Sequence, residues 1–542
     1  MTDTAKRIGL ACVLFAAKIV FLGLLAVNTQ LVMDEFWQFG QTKYLWNGFY
    51  DTIWPVKSVG YALWYAPAHW AGLDAASTVL AGRVWAFCTV LMTLGVIAGI
   101  GRRLGYSWLA ILTILMLLLS VSTYMERSFR LRSETPAILF AALSLWVVLR
   151  DGLPSLRSVL IAGALTGCAF LCTQKAIYFN FALGLALAVV MWRGTGLLAG
   201  LRTGAVLIAG WLGAIAAYSV LMGGTDALQV ARQIFVGPAE LATTGGSLYE
   251  GLRQFITQTL MRNLPLYVIF VTGLVLALAQ FRSATPARLI AAIFTAVLTA
   301  LIFAHNQPWP YIFAMCLPFL ALWAPVLWDR IVAAAPARQK VAPIVVGLLV
   351  AMTFPRNVDY LDHSNAEQLD VIRTAEAILG EDGTYFDGIG MLPTAYDTPR
   401  RWLDAPGIRR VEQNPDSLMK ALRDTPPDLI LETYRTDNLP DWFSDWVARH
   451  YVAIAPGFLV PGAQLTEDST EVTILREMTF DLAADEDTQV TRDGDPVPLP
   501  LTLSPGRFTV SATRPALLIP QGVTPPARQT PRAPLFSQTY TR

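Results

Sequence analysis

The chain has 542 residues, 54% of them hydrophobic and 15% charged, with a formal net charge of +1. A soluble globular protein carries nearer a quarter charged residues, so this composition excludes a wholly soluble chain and assigns most of it to a bilayer. Near-neutrality gives no electrostatic ground for binding nucleic acid.

From the N-terminus, the apolar run Ile8–Val27 approaches spanning length, and no small-x-small cleavage site precedes Asp34. It is therefore expected as a retained first span and not a signal peptide. Further apolar runs near 79–100, 107–124, 135–149, 158–172, 177–192, 204–222, 264–280, 287–304, 310–328 and 341–354 bring the predicted count to eleven. Lys6-Arg7, Arg102-Arg103, Arg150 with Arg157, Arg193 with Arg202, Arg282 with Arg288, and Arg330 with Arg338 and Lys340 fall in alternate loops. The positive-inside rule makes those loops cytoplasmic. The first long loop, the 223–263 loop and everything after Phe354 then lie on the outer face. Arg127, Arg130 and Arg132 break the rule, which suggests a need for positive charge outside.

The first outer loop, 29–78, opens on the acidic pair Asp34-Glu35. Trp37, Tyr44 and Leu45 recur there at helical spacing beside Gln38, Gln41 and Lys43, the pattern of a helix lying in the membrane interface. A second aromatic group follows at Tyr61, Trp64, Tyr65, His69 and Trp70, consistent with an aromatic belt. Past Phe354 the composition shifts. Helices are predicted at Gln368–Leu379, Ser417–Leu422 and Asp441–His450, with strands at Thr384–Ile389, Asp428–Thr433 and Tyr451–Ala455. That alternation predicts a small α/β layer over 355–478. From about 479 short strands such as Arg507–Ala512 and Ala516–Ile519 predict a β-rich appendage over 479–542, ending in a mobile Pro-rich tail. The five cysteines all lie in apolar runs, with no disulfide framework or metal-ligand spacing.

Charges expected on the outer face gather at Asp34-Glu35, Lys57, Arg127/Arg130/Arg132 with Glu134, Lys175 and His305. Ionisable groups at span ends usually face a cavity, a partner or water. A carboxylate ringed by cations suits a reaction with a phosphate leaving group: the cations hold the phosphate and the carboxylate takes the proton of the attacking group. The bland alternatives are a helix cap for Asp34, a snorkelling anchor for Lys57, headgroup binding for the arginines, and satisfied structural roles for Lys175 and His305.

Several stretches together resemble the GT-C superfamily of integral-membrane glycosyltransferases, in particular the protein mannosyltransferase and lipid A aminoarabinose transferase branch. They are Met33-Asp34-Glu35, the segment from Trp54 through Lys57 to Tyr61, Ala81-Gly82-Arg83, the arginine turn leading into Glu134, Thr173-Gln174-Lys175, and His305 through Tyr311. The resemblance spans about 8–330 and implies a polytopic α-helical GT-C domain over 1–354 carrying the extracytoplasmic regions above. It implies an inverting hexosyl- or pentosyltransferase that moves a sugar from a polyprenyl-phosphate donor to a glycan, lipid or protein acceptor. The setting it implies is a bacterial cytoplasmic membrane, with the C-terminal region periplasmic. Asp34 would activate the acceptor and Glu35 support it. Lys57, Arg130, Arg132, Lys175 and His305 would bind the donor phosphate, with Tyr61, Glu134 and Tyr311 completing the cavity. Relatives of this branch commonly carry Asp where Glu134 stands. No metal is expected to be required, although oligosaccharyltransferase relatives use a divalent cation, which leaves that alternative open. A flippase for lipid-linked sugars and a non-catalytic membrane scaffold are the rival readings; the absence of evident internal repeats argues against the first.

Overall fold

The structure is a computed structural model that describes residues 3–46, 58–150, 152–244, 253–334, 341–399, 403, 405–484 and 488–527. Lys57 and the Pro-rich tail from 528 lie outside the described residues. The chain packs as two compact units. One comprises Met1–Thr29, Tyr44–Ala68 and Leu80–Ser364; the other comprises Gln30–Lys43, His69–Val79 and Asn365–Arg542.

The first unit is helical. Ile8–Asn28, Ala75–Arg103, Gln174–Thr195, Leu197–Ala239, Pro286–Phe303, Leu317–Ala334 and Ile344–Asp362 are long and apolar enough to cross a membrane. An eighth crossing forms if Gln254–Arg262 and Leu264–Ala279, bent by 91°, make one span. The bend follows from Pro265 at the start of the second piece, because proline cannot continue a helix from the preceding turn. Trp108–Leu118, Glu134–Val148 and Leu156–Cys172 are shorter apolar helices. Each of the eleven apolar runs thus holds an apolar helix, but these three have 11, 15 and 17 residues and fall short of the ~20 a bilayer needs.

Helix starts follow side-chain chemistry. Ser107, Ser155 and Thr285 each accept a hydrogen bond from the backbone N–H three residues on, capping an orphan donor. The helix ending at Asn28 is closed from outside. Arg83, fully buried, donates to the carbonyls of Ala26 (3.1 Å) and Thr29 (2.5 Å), so this residue of the Ala-Gly-Arg motif is structural. Leu156–Cys172 packs on Leu197–Gly223 through Gly163 and Gly167, where an added Cβ would run into the backbone of Leu207 and Trp211. Small residues four apart let membrane helices approach in this way.

The second unit builds one five-stranded sheet and two four-stranded ones. The strands are β1 (Thr384–Phe386), β2 (Tyr396–Asp397), β3 (Leu429–Leu431), β4 (Tyr451–Ala455), β5 (Phe458–Pro461), β6 (Ala463–Leu465), β7 (Thr470–Ile474), β8 (Met478–Ala483), β9 (Val490–Arg492), β10 (Asp495–Val497), β11 (Leu501–Leu503), β12 (Gly506–Ala512) and β13 (Ala516–Pro520). The first sheet has the order β2-β1-β3-β5-β4, with β1 parallel to β2 and β3, and β5 antiparallel to β3 and β4. Helices Ala405–Gln413, Pro415–Asp424 and Asp441–His450 bury Ile408, Leu418, Leu422, Phe443 and Trp446 with the sheet's Phe386 and Ile430. The other two sheets, β10-β9-β12-β7 and β11-β8-β13-β6, are antiparallel and share one core that includes Val472, Phe480, Leu503, Val510 and Leu518. Because β6 and β7 belong to these sheets, the β-rich part begins at Ala463, ahead of the expected 479.

The first loop differs from its expected form. Met33–Phe39 is a seven-residue helix continued by a 3-10 turn over Gly40–Tyr44, and Gly60–His69 is a second helix. A helix lying in the interface would turn Gln38, Gln41 and Lys43 toward headgroups. Instead they are buried, as are Tyr44, Leu45, Tyr61 and Tyr65. Periodicity alone does not separate a polar face turned to solvent from one turned to buried partners.

Candidate functional site

In the first unit the arginine turn is wired before any charge is paired. Ser122 opens a short helix, and its backbone N–H and hydroxyl both donate to Asn263 Oδ1 (3.0 and 3.1 Å). The Thr135 hydroxyl reaches the carbonyls of Ser128 (3.1 Å) and Arg130 (3.2 Å), and the Tyr65 hydroxyl donates to the Arg132 carbonyl (3.0 Å). These contacts fix a turn in which Arg127, Arg130 and Arg132 alternate with Ser128, Phe129 and Leu131, nearly all of them buried.

Two carboxylates then organise the cations. Glu134 takes Lys175 Nζ on Oε1 at 2.7 Å and Arg132 Nε on Oε2 at 3.3 Å. Lys175 Nζ also donates to the Tyr311 hydroxyl at 3.2 Å, while the Arg132 guanidinium lies 3.5 Å from the centre of the Tyr311 ring. Glu126 meets Arg127 at 2.8 Å and Arg130 at 3.8 Å. Glu134 and Glu126 thus each take two cations in a mostly buried setting. Such a setting strengthens any contact to an anion. Lys175 keeps 26% of its side chain exposed, against 5% for Glu134, so it is the member of this pair open to a ligand. His305 Nδ1 lies 2.7 Å from the Tyr178 hydroxyl. Burial, and then the charge of Lys175, push its imidazole down to about 4, so it is neutral near pH 7 and offers hydrogen bonding rather than charge.

The acidic pair belongs to the second unit, where the helix Met33–Phe39 is held from both ends. The Gln368 side-chain amide accepts from the Leu31 N–H (2.6 Å) and donates to the Leu31 carbonyl (3.0 Å), imitating a strand partner. Past the helix, Lys43 Nζ pairs with Asp397 at 2.9 Å and donates to the carbonyls of Leu392 (3.0 Å) and Ala395 (2.6 Å). Between them, Gly40 sits so close to the Gly390 carbonyl that an added Cβ would come within 2.8 Å of its oxygen. The loop bearing Gly390 is closed by Asp387, whose carboxylate accepts from the N–H groups of Ile389, Gly390 and Met391 at 2.7–2.8 Å. Glu35 is fully buried and accepts from the Val32 N–H at 3.1 Å. Asp34 is half-buried; burial, and to a lesser degree the charge of Asp34, push the Tyr434 hydroxyl up to about 12.

The structure therefore brings Arg132, Glu134, Lys175 and Tyr311 together, with His305 alongside, and links Arg130 to Glu126. Tyr61 is buried in the same unit. Asp34 and Glu35 fall in the other unit, and Lys57 lies outside the described residues. Sequence reasoning missed Glu126, Tyr178 and Asn263 in the first unit and read Tyr65 only as part of an aromatic belt; in the second it missed Gln368, Asp397 and Tyr434. Glu126 carried a signal, since it directly precedes the arginine turn; the others rest on contacts distant in sequence. Among the described residues no group of three His, Cys, Asp or Glu side chains is placed to hold a metal ion.

Residues 413–460 match a domain of unknown function (DUF7056). Comparison with curated proteins finds no match. Among solved structures, the chain is similar to ArnT from Cupriavidus metallidurans bound to undecaprenyl phosphate, with a TM-score of 0.54 at 13% identity, covering 83% of this chain and 97% of that one. The apo form of the same protein gives 0.52 at 13% identity, covering 82% and 96%. The likeness runs through both units at an identity too low to speak for more than architecture. It is an architecture of apolar spans followed by a β-rich region, and the chain has the GT-C fold.

Proposed function

We propose that the chain is an inverting glycosyltransferase that moves a sugar from a polyprenyl phosphate to an acceptor on the outer face of a bacterial cytoplasmic membrane. The observation that carries this reading is the buried cluster of Arg132, Glu134, Lys175 and Tyr311, in which one carboxylate holds two cations and Lys175 stays partly open. It lies in a fold shared with a protein whose structure holds undecaprenyl phosphate.

In this reading Lys175 and Arg132, with Arg130 and Lys57, hold the phosphate of the donor. Arg supplies a fork and Lys a point charge. Glu134 keeps Arg132 and Lys175 oriented, and Tyr311 fixes both by ring contact and hydroxyl. His305 contributes as a neutral hydrogen-bonding group. Asp34 accepts the proton of the acceptor's hydroxyl or amine as that atom bonds to the anomeric carbon. The bond from that carbon to the phosphate oxygen breaks, and the polyprenyl phosphate departs with the electron pair, its charge held by the cations. Glu35, bonded to the Val32 N–H, shapes the helix start that carries Asp34. Metal independence belongs to the proposal, and transfer measured with and without EDTA tests it.

The decisive experiment uses the purified full chain. Lys175→Met should weaken undecaprenyl phosphate binding by roughly tenfold or more, the equivalent of about 1.5–3 kcal/mol for a charged hydrogen bond. Asp34→Asn should leave that binding intact. It should cut sugar transfer from an undecaprenyl-phosphate-linked donor by around two to four orders of magnitude, the usual loss of a general base. A folded Asp34→Asn protein with near-normal transfer, or a Lys175→Met protein with unchanged affinity, overturns the corresponding role.

A further inference from the structure

In the second unit, β1 and β3 run parallel, and the loops leaving their carboxyl ends lie side by side. That edge of a parallel sheet is where open α/β layers take ligands. The loop after β1 is the Asp387-closed turn. The loop after β3 is tied down by its threonines: the Thr433 hydroxyl donates to the Asp387 carbonyl (2.8 Å), and the Thr433 N–H donates to the Thr436 hydroxyl (2.8 Å). Between those threonines sit Tyr434 and Arg435. Both reach Met33, the residue before Asp34: the Tyr434 hydroxyl lies 2.6 Å and Arg435 Nε 3.2 Å from its sulfur.

Arg435 is the anomaly. It is only 6% exposed, yet no carboxylate pairs with it among the described residues. Its side-chain partners are the Met33 thioether, a weak acceptor, and the ring of Tyr434, which lies 4.9 Å from the guanidinium. A desolvated guanidinium normally has an oxyanion across its fork. Asp34, whose charge reaches Tyr434, is already assigned to proton transfer in the proposed reaction, and the hydrogen-bonded threonines hold Arg435 in place without engaging its fork.

We propose that Arg435, oriented by Tyr434, binds an oxyanion carried by the acceptor, a phosphate or a carboxylate, and so places the acceptor's nucleophile at Asp34. The assignment to the acceptor rests on the function proposed above, in which the donor phosphate is held by the cations of the first unit; the oxyanion site itself does not rest on it. The C-terminal unit would then contribute a substrate-binding residue rather than only stabilising the helical part. It would also favour acidic acceptors over neutral sugars or unmodified hydroxyls.

The test titrates inorganic phosphate into the purified full chain, read by phosphorus NMR, with and without saturating undecaprenyl phosphate. Wild type should bind phosphate under saturation. Arg435→Gln should weaken that binding at least tenfold and Arg435→Lys by less, both with unchanged affinity for undecaprenyl phosphate. Equal phosphate binding in wild type and Arg435→Gln, or none in saturated wild type, overturns the site. Weakened undecaprenyl phosphate binding in Arg435→Gln would make the oxyanion the donor's, which overturns the acceptor assignment. If Arg435→Gln fails to fold, Tyr434→Phe removes only the hydroxyl that fixes the Met33 sulfur on which Arg435 rests, and should weaken phosphate binding several-fold at an unchanged melting temperature; no change there overturns the proposal. A wild type that never binds undecaprenyl phosphate sinks the glycosyltransferase reading instead. The Arg435 site is then judged by the titration in its absence, where loss of binding in Arg435→Gln supports it and no loss overturns it.

Discussion

Lys43 ends the segment that carries Asp34, and its ammonium is buried against Asp397 at 2.9 Å with 4% of each side chain exposed. At an effective dielectric constant near 20, two unit charges at that distance attract by about 6 kcal/mol. Taking both out of water costs several kcal/mol per ion, so the pair as a whole contributes little net stability. Removing one member is different, because the other remains desolvated; such changes cost about 3–5 kcal/mol. Lys43→Met keeps the length of the side chain and loses the charge, together with the bonds to the carbonyls of Leu392 and Ala395. In a unit of about 200 residues, each kcal/mol lowers the melting temperature by roughly 2–4 °C. Thermal unfolding of the purified full chain should therefore show the second unit melting about 6–20 °C lower. The double change Lys43→Met with Asp397→Leu should recover most of that loss, since a buried ion pair replaced by apolar groups is often neutral. A single variant within about 1 °C of wild type, or a double variant as unstable as both singles combined, would refute the claim that this pair anchors the segment.

Two further outcomes follow from contacts already described. Gly40→Ala should destabilise the second unit by about 1–3 kcal/mol through overpacking, because its Cβ would meet the Gly390 carbonyl oxygen at 2.8 Å. Gly95→Ala, in a helix with nothing within 4 Å, is the control and should be neutral or stabilising in the same melting assay. His305 is pushed down to about 4 from an ordinary value near 6.5. The unfolded chain therefore takes up its proton first, and the stability this residue contributes is complete above about 6.5 and is lost as pH falls toward 4. His305→Phe should remove that portion of the pH dependence, and histidine NMR showing His305 titrating near 6.5 in the folded protein would contradict it.

The helical unit was legible because its signal is local. Runs of apolar residues between basic loops forecast the eleven apolar helices but not Gly60–His69, Ser122–Arg127, Ala227–Thr244 or Gln254–Arg262, and the order of short motifs forecast the fold. Most of the α/β elements were legible for a similar reason: Asp441–His450 and Tyr451–Ala455 coincide with the observed helix and strand. β6 and β7 were not, because neither has more than five residues and their partners lie further along the chain. In the site, the grouping of Arg132, Glu134, Lys175 and Tyr311 rests on residues the sequence had singled out, although nothing in it told that Glu134 takes two cations at once. Lys43 shows the opposite case. Beside Trp37 and Tyr44 it reads as a headgroup-facing lysine, and only its distant partners Asp397, Leu392 and Ala395 reveal a buried one.

The two acidic residues that open the first loop can now be told apart on physical grounds. A pair of adjacent carboxylates at a helix start admits both a capping role and a chemical one, and sequence cannot divide the roles between them. In the folded chain Glu35 is fully buried and its Oε1 accepts the Val32 N–H, one of the donors that a helix start leaves unsatisfied. That bond ties Glu35 into local structure. Asp34, one residue earlier and half-buried, points from the same seven-residue helix with Tyr434 within its electrostatic reach. The helix that presents it is pinned by Gln368 before it and Lys43 after it, so a shift of Asp34 would require breaking contacts on both sides. A general base must be held in place and remain accessible. Glu35 beside it braces the helix start, so in the proposed reaction Asp34, held in place and half-buried, is the carboxylate given the proton.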